Sequence, residues 1–121
     1  MSEVTESILL STKHKCNVAP ELTAFDAQFV SYINAALAEL NQLGIGPVEG
    51  LQIEDKETSW VEFYEDPRLN AVQTFVGLRV RLLFDPPATS FAINMMEEQL
   101  KEMAFRLMVA QEDIETEETA V

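Results

Sequence analysis

The side chains that most often do chemistry are scarce in this chain and badly spaced. The one histidine, His14, stands two residues from the one cysteine, Cys16. A nucleophilic Cys–His pair needs the two side chains opposed in space and a third group to orient the base. Here both fall at the lysine-bearing end of one short segment, and they read as a surface histidine and a small apolar cysteine. Zinc sites need more cysteine and histidine than this. The run Glu54-Asp55-Lys56-Glu57 lacks the alternating oxygen ligands and central glycine of a calcium loop. Gly44-x-Gly46 has no preceding strand, lysine or longer glycine pattern to make it a phosphate cradle. No set of catalytic roles can be filled, so neither an enzyme nor a bound metal or cofactor is expected.

What remains is chemistry for contact. Trp60, Phe63 and Tyr64 fall at i, i+3 and i+4. They read either as an anchor for a partner or as the face by which a short helix docks on the core, and the helical spacing favours docking. Arg79 and Arg81 sit two residues apart inside the most apolar stretch of the chain, and so point to nearly opposite sides. Arg81 has Asp85 at i+4. Arg79 has two classes of partner open to it, a carboxylate on another element or one on another subunit, and arginine is favoured in such interface pairs. The candidates for subunit contact are therefore Arg79, Arg81, Trp60, Phe63 and Tyr64. Five methionines add apolar surface of the kind that adapts to partners.

Helices must position these residues. The central one begins at Asp66, a good N-cap, with Pro67 at the first helical position, and it stops before Pro86 and Pro87. Leu69, Val72, Val76, Val80 and Leu83 make one face, and Phe75, Leu78 and Leu82 another. A helix so nearly apolar all round is expected to be wrapped by the others. Upstream, Thr23-Ala24-Phe25-Asp26 has capping-box spacing, and Phe25, Phe29, Tyr32, Ile33, Ala36, Leu37, Leu40 and Leu43 recur at helical period until Gly44 ends the helix. A weaker first helix lies within residues 1–16, with Thr5 or Ser7 as cap and Lys13, His14 and Lys15 in its last turn, where cations complement the helix dipole.

The connection over residues 44–66 is long and acidic. Leu51 and Ile53 suggest a brief extended piece, and Ser59-Trp60-Val61-Glu62 a second capping box. A last, long helix is expected over residues 89–113, capped by Thr89 or Ser90. Its seam is Ile93, Met96, Leu100, Met103, Leu107, Ala110 and Ile114, with Phe91, Met95, Ala104 and Met108 widening that face. Glu97–Lys101 and Glu102–Arg106 are favourable i, i+4 pairs on it.

The expected fold is all-α: a small bundle of about four to five helices, with a long acidic loop between the second and central helices and a long C-terminal helix. Residues 1–110 read as one domain and residues 111–121 as an acidic tail, flexible alone.

The 121 residues suffice for one modest core. The net charge of −13 argues against ordinary nucleic-acid binding, because the surface repels phosphate. It suits a solubilising surface, and equally a wall past which DNA must slide. One cysteine excludes an internal disulfide. No run is long and apolar enough for a membrane span, and the N-terminus lacks the pattern of a signal peptide. The chain is expected in the cytoplasm where it is made.

The run Tyr32-Ile33-Asn34-Ala35-Ala36-Leu37-Ala38-Glu39-Leu40-Asn41-Gln42-Leu43-Gly44-Ile45-Gly46-Pro47, followed by Glu49-Gly50, resembles the head–tail connector (adaptor) proteins of tailed phages. The resemblance continues through Trp60, through Thr74-Phe75-Val76-Gly77-Leu78-Arg79-Val80-Arg81-Leu82-Leu83-Phe84-Asp85-Pro86-Pro87, and into Ser90-Phe91. It covers residues 25–108, and its motifs are structural. It implies an all-α subunit of a ring, usually of about twelve copies, beneath the portal of a DNA-filled head. Such a ring extends the DNA channel, without sequence-specific DNA binding, and offers a platform to the next head-completion or tail-terminator protein.

In similar proteins the C-terminal segment inserts into the portal. This makes Gln111, Glu112, Asp113, Ile114, Glu115 and Val121 the candidates for portal contact. The expected place is the head–tail junction of the virion, reached from the host cytoplasm. The alternative reading is a small acidic adaptor or DNA-mimic inhibitor that binds one basic protein in a salt-sensitive way.

Overall fold

Ser7 is extended, and its hydroxyl accepts from the Leu10 N–H at 3.2 Å, which starts helix α1, Ile8–Lys15. In the computed structural model, which describes residues 3–119, a 3-10 turn at Glu3–Thr5 precedes it. Lys13, His14 and Lys15 occupy the last turn of α1 as expected.

Helix α2 is Asp26–Gln42, and Gly44 (φ +88°) turns the chain away just beyond it. The start of α2 departs from expectation. Its N-cap position is Phe25, with no side-chain cap, and the Thr23–Asp26 capping box does not form. The Asp26 carboxylate instead accepts from the Lys13 ammonium at 2.7 Å. A buried ammonium is a stronger partner for a carboxylate than one free amide.

Two asparagines of α2 then hold the long connection. Asn34 exchanges two hydrogen bonds with the backbone of Ile53 (2.8 and 3.0 Å), and the Asn41 amide donates to the Pro47 carbonyl at 2.6 Å. The piece expected to be extended at Leu51 and Ile53 thus pairs with a side chain, and residues 51–54 form no strand. The one bridge among the described residues joins Ser7 to Ser59. The Ser59–Glu62 capping box forms as expected, over a 3-10 turn at Trp60–Glu62.

The central segment is two pieces where one helix was expected. Asp66 accepts from the Arg68 N–H at 2.9 Å and starts a 3-10 turn at Pro67–Leu69, and helix α3, Ala71–Phe84, follows after Asn70. The junction is tightened by i+3 backbone bonds from Asn70 to Pro67 and from Gln73 to Asn70. Helix α3 packs against α1, α2 and the last helix, α4, Ser90–Thr119. Wrapping is incomplete, however. Val72, Phe75, Val76 and Val80 are buried, whereas Thr74 and Arg81 face water and Leu83, assigned to the buried face, is 47% exposed.

Helix α4 starts where the Thr89 hydroxyl accepts from the Ala92 N–H at 3.1 Å. Its 30 residues span about 45 Å. The seam is as expected at Met96, Leu100 and Leu107, which are buried against the bundle. The helix does not end near residue 113 but continues to Thr119, so the expected boundary at residue 110 has no counterpart in the backbone. Of the expected pairs, Glu102–Arg106 forms, while Lys101 takes Glu98 in place of Glu97.

Candidate assembly interface

The chain runs α1 to α2 and α3 to α4 through short turns at one end of the bundle, and the long connection lies at the other. At that far end the 3-10 turns meet the last turns of α4. Arg68 joins them, pairing with Asp66 at 2.8 Å and with Glu117. Its guanidinium hydrogen bonds hold both carboxyls below their ordinary range.

Between the turns and α4 lies an open cleft of about 670 Å³, lined among others by Val61, Glu65, Gln111, Ile114 and Glu118. Of the candidates for portal contact, Gln111 and Ile114 border this cleft, and Ile114 packs on the core. Glu112, Asp113 and Glu115 are exposed, Gln111 donates to Glu115 at 3.1 Å, and Val121 lies outside the described residues.

The aromatic candidates are core residues. Trp60 is 0% exposed, and Phe63 and Tyr64 are each 4% exposed. The Trp60 indole donates to the Ser11 hydroxyl at 2.8 Å, and the Tyr64 hydroxyl joins Asn70 (2.8 Å) and Gln73 (2.7 Å). The closeness of this packing is visible at Gly46 (φ +93°), where a Cβ would stand 2.5 Å from the Phe63 ring. The polar atoms of these aromatic side chains are satisfied within the chain, and Phe63 and Tyr64 also line the open cleft.

The two arginines part company. Arg79 is bidentate to Glu39 of α2 (3.1 and 2.8 Å), with its guanidinium 5.8 Å from the centre of the Phe75 ring. Of the two partners open to it, the structure supplies the intramolecular one. Arg81 is exposed and makes no ion pair among the described residues, and the expected pair with Asp85 is absent. Burial pushes the neighbouring Cys16 thiol up, an effect that Arg81 opposes and Asp85 adds to.

Lys15 lies against α3 one turn before Arg81. A Cβ on Gly77, one turn before Arg81, would stand 2.7 Å from the Lys15 side chain, whose stem fills the space that the glycine leaves. His14 is exposed and Cys16 buried, the places expected of a surface histidine and a small apolar cysteine.

Two features escaped sequence reasoning. Lys13 is fully buried, its ammonium satisfied by Asp26 and by the carbonyls of Leu22 (2.8 Å) and Pro20 (3.2 Å). The other is the outer face of α4. Phe91 and Met95, assigned to the seam, are 74% and 51% exposed, and Phe105 and Val109 are 67% and 42% exposed. Phe91 and Val109 each stand nine residues from buried Leu100, about two and a half turns, hence on the opposite side of the helix. That register could have been found by testing α4 for a second stripe. Among the described residues no cluster of His, Cys, Asp and Glu could hold a metal ion, and no helix is long and apolar enough to cross a membrane.

A family model described as phage connector protein matches residues 8–114. No curated protein and no solved structure matches the chain.

Proposed function

The chain belongs to the phage connector protein family, and on that premise we propose that it is a structural virion protein forming a ring between portal and tail. The ring, of about twelve subunits, extends the DNA channel and completes the head for tail attachment. The observation that carries this reading is the family match, which takes in all of α1, α2 and α3 and most of α4. The charge supports it. At −13, a ring of such subunits presents carboxylates to the passing phosphate backbone, so DNA meets repulsion and no sequence-reading contact. The exposed apolar residues on the outer face of α4 support it as well, since large side chains grouped on an exposed face mark contact with other proteins.

In this proposal the end of α4, from Gln111 through Ile114 and Glu115 to Val121, enters the portal. The opposite partner is the next head-completion or tail-terminator protein, and the working place is the head–tail junction, reached from the host cytoplasm.

The test uses DNA-filled heads that lack this protein. The full chain should bind them and make them competent for tails, and a chain lacking residues 111–121 should not bind. Because Ile114 packs on the core, a second chain ending after Ile114 keeps the fold intact while removing the last turns. It should also fail on heads while unfolding within a few degrees of the parent, since the Arg68–Glu117 pair that it loses is exposed. Failure of the full chain to bind heads would sink the connector role. Normal attachment by both shortened chains would sink the portal assignment alone.

A further inference from the structure

The two sides of this molecule differ in a way that fits one copy against the next. On α4, the outward face carries Phe91 and Met95 near its start and Phe105 and Val109 in its second half. Glu98 and Glu102 fill the turns between, at seven and eleven residues from Phe91, on that same face. Both glutamates are held only by exposed pairs within their own helix, to Lys101 and Arg106, and such pairs exchange at little cost.

Elsewhere, cations are few. Of eight lysines and arginines, Lys13, Arg68, Arg79, Lys101 and Arg106 have carboxylate partners. Of the remaining three, Lys56 stands among the carboxylates of the acidic loop, whereas Lys15 lies against Gly77 of α3 and Arg81 follows one turn later on the same helix. In a chain with 21 acidic residues, two exposed cations on one edge, neither of them in an ion pair and with Asp85 the carboxylate nearby, form a patch of the opposite sign to most of the surface.

We propose, resting on the ring reading above, that the outer face of α4 in one copy docks on the Lys15–Arg81 edge of the next, with Glu98 and Glu102 meeting the two cations. The occupant is a second copy because the chain itself carries both members of the complementary pair. Most of the surface of one copy repels another, and the Lys15–Arg81 edge is where a carboxylate-bearing apolar stripe is attracted. The two patches are distinct, one on the outer face of α4 and the other on the exposed side of α3, and Glu102 borders the groove between the two helices. A contact between unlike patches is head-to-tail, the class of interface from which cyclic rings are built.

The experiment mixes two charge-reversed full chains, the double variants Lys15→Glu/Arg81→Glu and Glu98→Arg/Glu102→Arg. Native mass is followed across a concentration series, and copies retained per DNA-filled head are counted. All four side chains are exposed, so each variant should unfold with the parent. Each alone should associate at least about tenfold more weakly, which corresponds to about 1.4 kcal/mol. An equimolar mixture should recover the parent behaviour, because every contact in an alternating ring then joins opposite charges.

Variants that assemble as the parent does place the contact elsewhere and overturn the proposal, leaving the ring reading intact. Weak variants without recovery in the mixture overturn the pairing of these two patches. Variants that self-associate normally but lose binding to purified portal protein give the face to the portal and overturn it too. A parent that neither associates nor loads heads in multiple copies overturns this proposal and the ring reading together.

Discussion

The buried ion pair between Lys13 and Asp26 makes an asymmetric prediction. Lys13 is 0% exposed and its three N–H donors meet three acceptors, while the Asp26 side chain is 32% exposed. Removing the carboxylate strands an ammonium that water cannot reach. Breaking a buried pair in this way costs about 3–5 kcal/mol. The two carbonyls that remain in contact reduce this, and we expect about 2–3 kcal/mol for Asp26→Ala. Removing the ammonium strands less. In Lys13→Met the stem volume is kept, Asp26 is already partly in water, and the carbonyls belong to exposed Pro20 and Leu22. The cost there should be about 1 kcal/mol or less.

The double variant should then cost about as much as Lys13→Met alone, a coupling near 2 kcal/mol. Urea unfolding of the parent, the two single variants and the double variant reads this directly from the midpoints, provided the slope is unchanged. The reasoning is refuted if Lys13→Met is the more damaging change, or if the single costs add. Its consequence is local order at one end of the bundle. The pair pins residues 17–25 between α1 and α2, and so places Phe25 on Phe84, whose ring centre is 5.4 Å away.

Two further outcomes follow from the acidic end of the bundle and the loop beside it. The Asp66 and Glu117 carboxyls, lowered by the Arg68 guanidinium, should titrate below the ordinary carboxylate range in a nuclear magnetic resonance titration and return to it in Arg68→Gln. Because both folded values are depressed, the stabilisation they carry is present above the unfolded carboxyl values and is lost as pH falls through the folded ones. The stability gap between parent and Arg68→Gln should therefore close in strong acid, and a gap that widens there would count against the pairing. Gly46→Ala combines a left-handed backbone (φ +93°) with a Cβ 2.5 Å from the Phe63 ring, so it should lower stability by about 1–3 kcal/mol in the same urea assay. A neutral Gly46→Ala would mean that the ring yields more easily than its 4% exposure implies.

Local marks in the chain determined where most helices start and stop. Ser7, Ser59 with Glu62, Asp66, Thr89 and Gly44 act through bonds and backbone angles that span only a few residues, so their effect is legible without the fold. The family was legible too, because runs such as that from Tyr32 to Pro47 carry it in their order alone, and the match over residues 8–114 bears it out.

Tertiary structure decided what local marks cannot. Asp26 had two partners within reach, and only the arrival of α1 beside it put a buried ammonium in competition with the Thr23 amide. Phe91 and Met95 satisfy a seam on paper, yet a helix with apolar residues on two sides buries only the side its neighbours cover, and α3 covers the one with Leu100 and Leu107. Arg79 and Arg81 look alike in sequence. One meets Glu39 and the other meets water, because pairing depends on distances across the bundle, and residue order does not contain them.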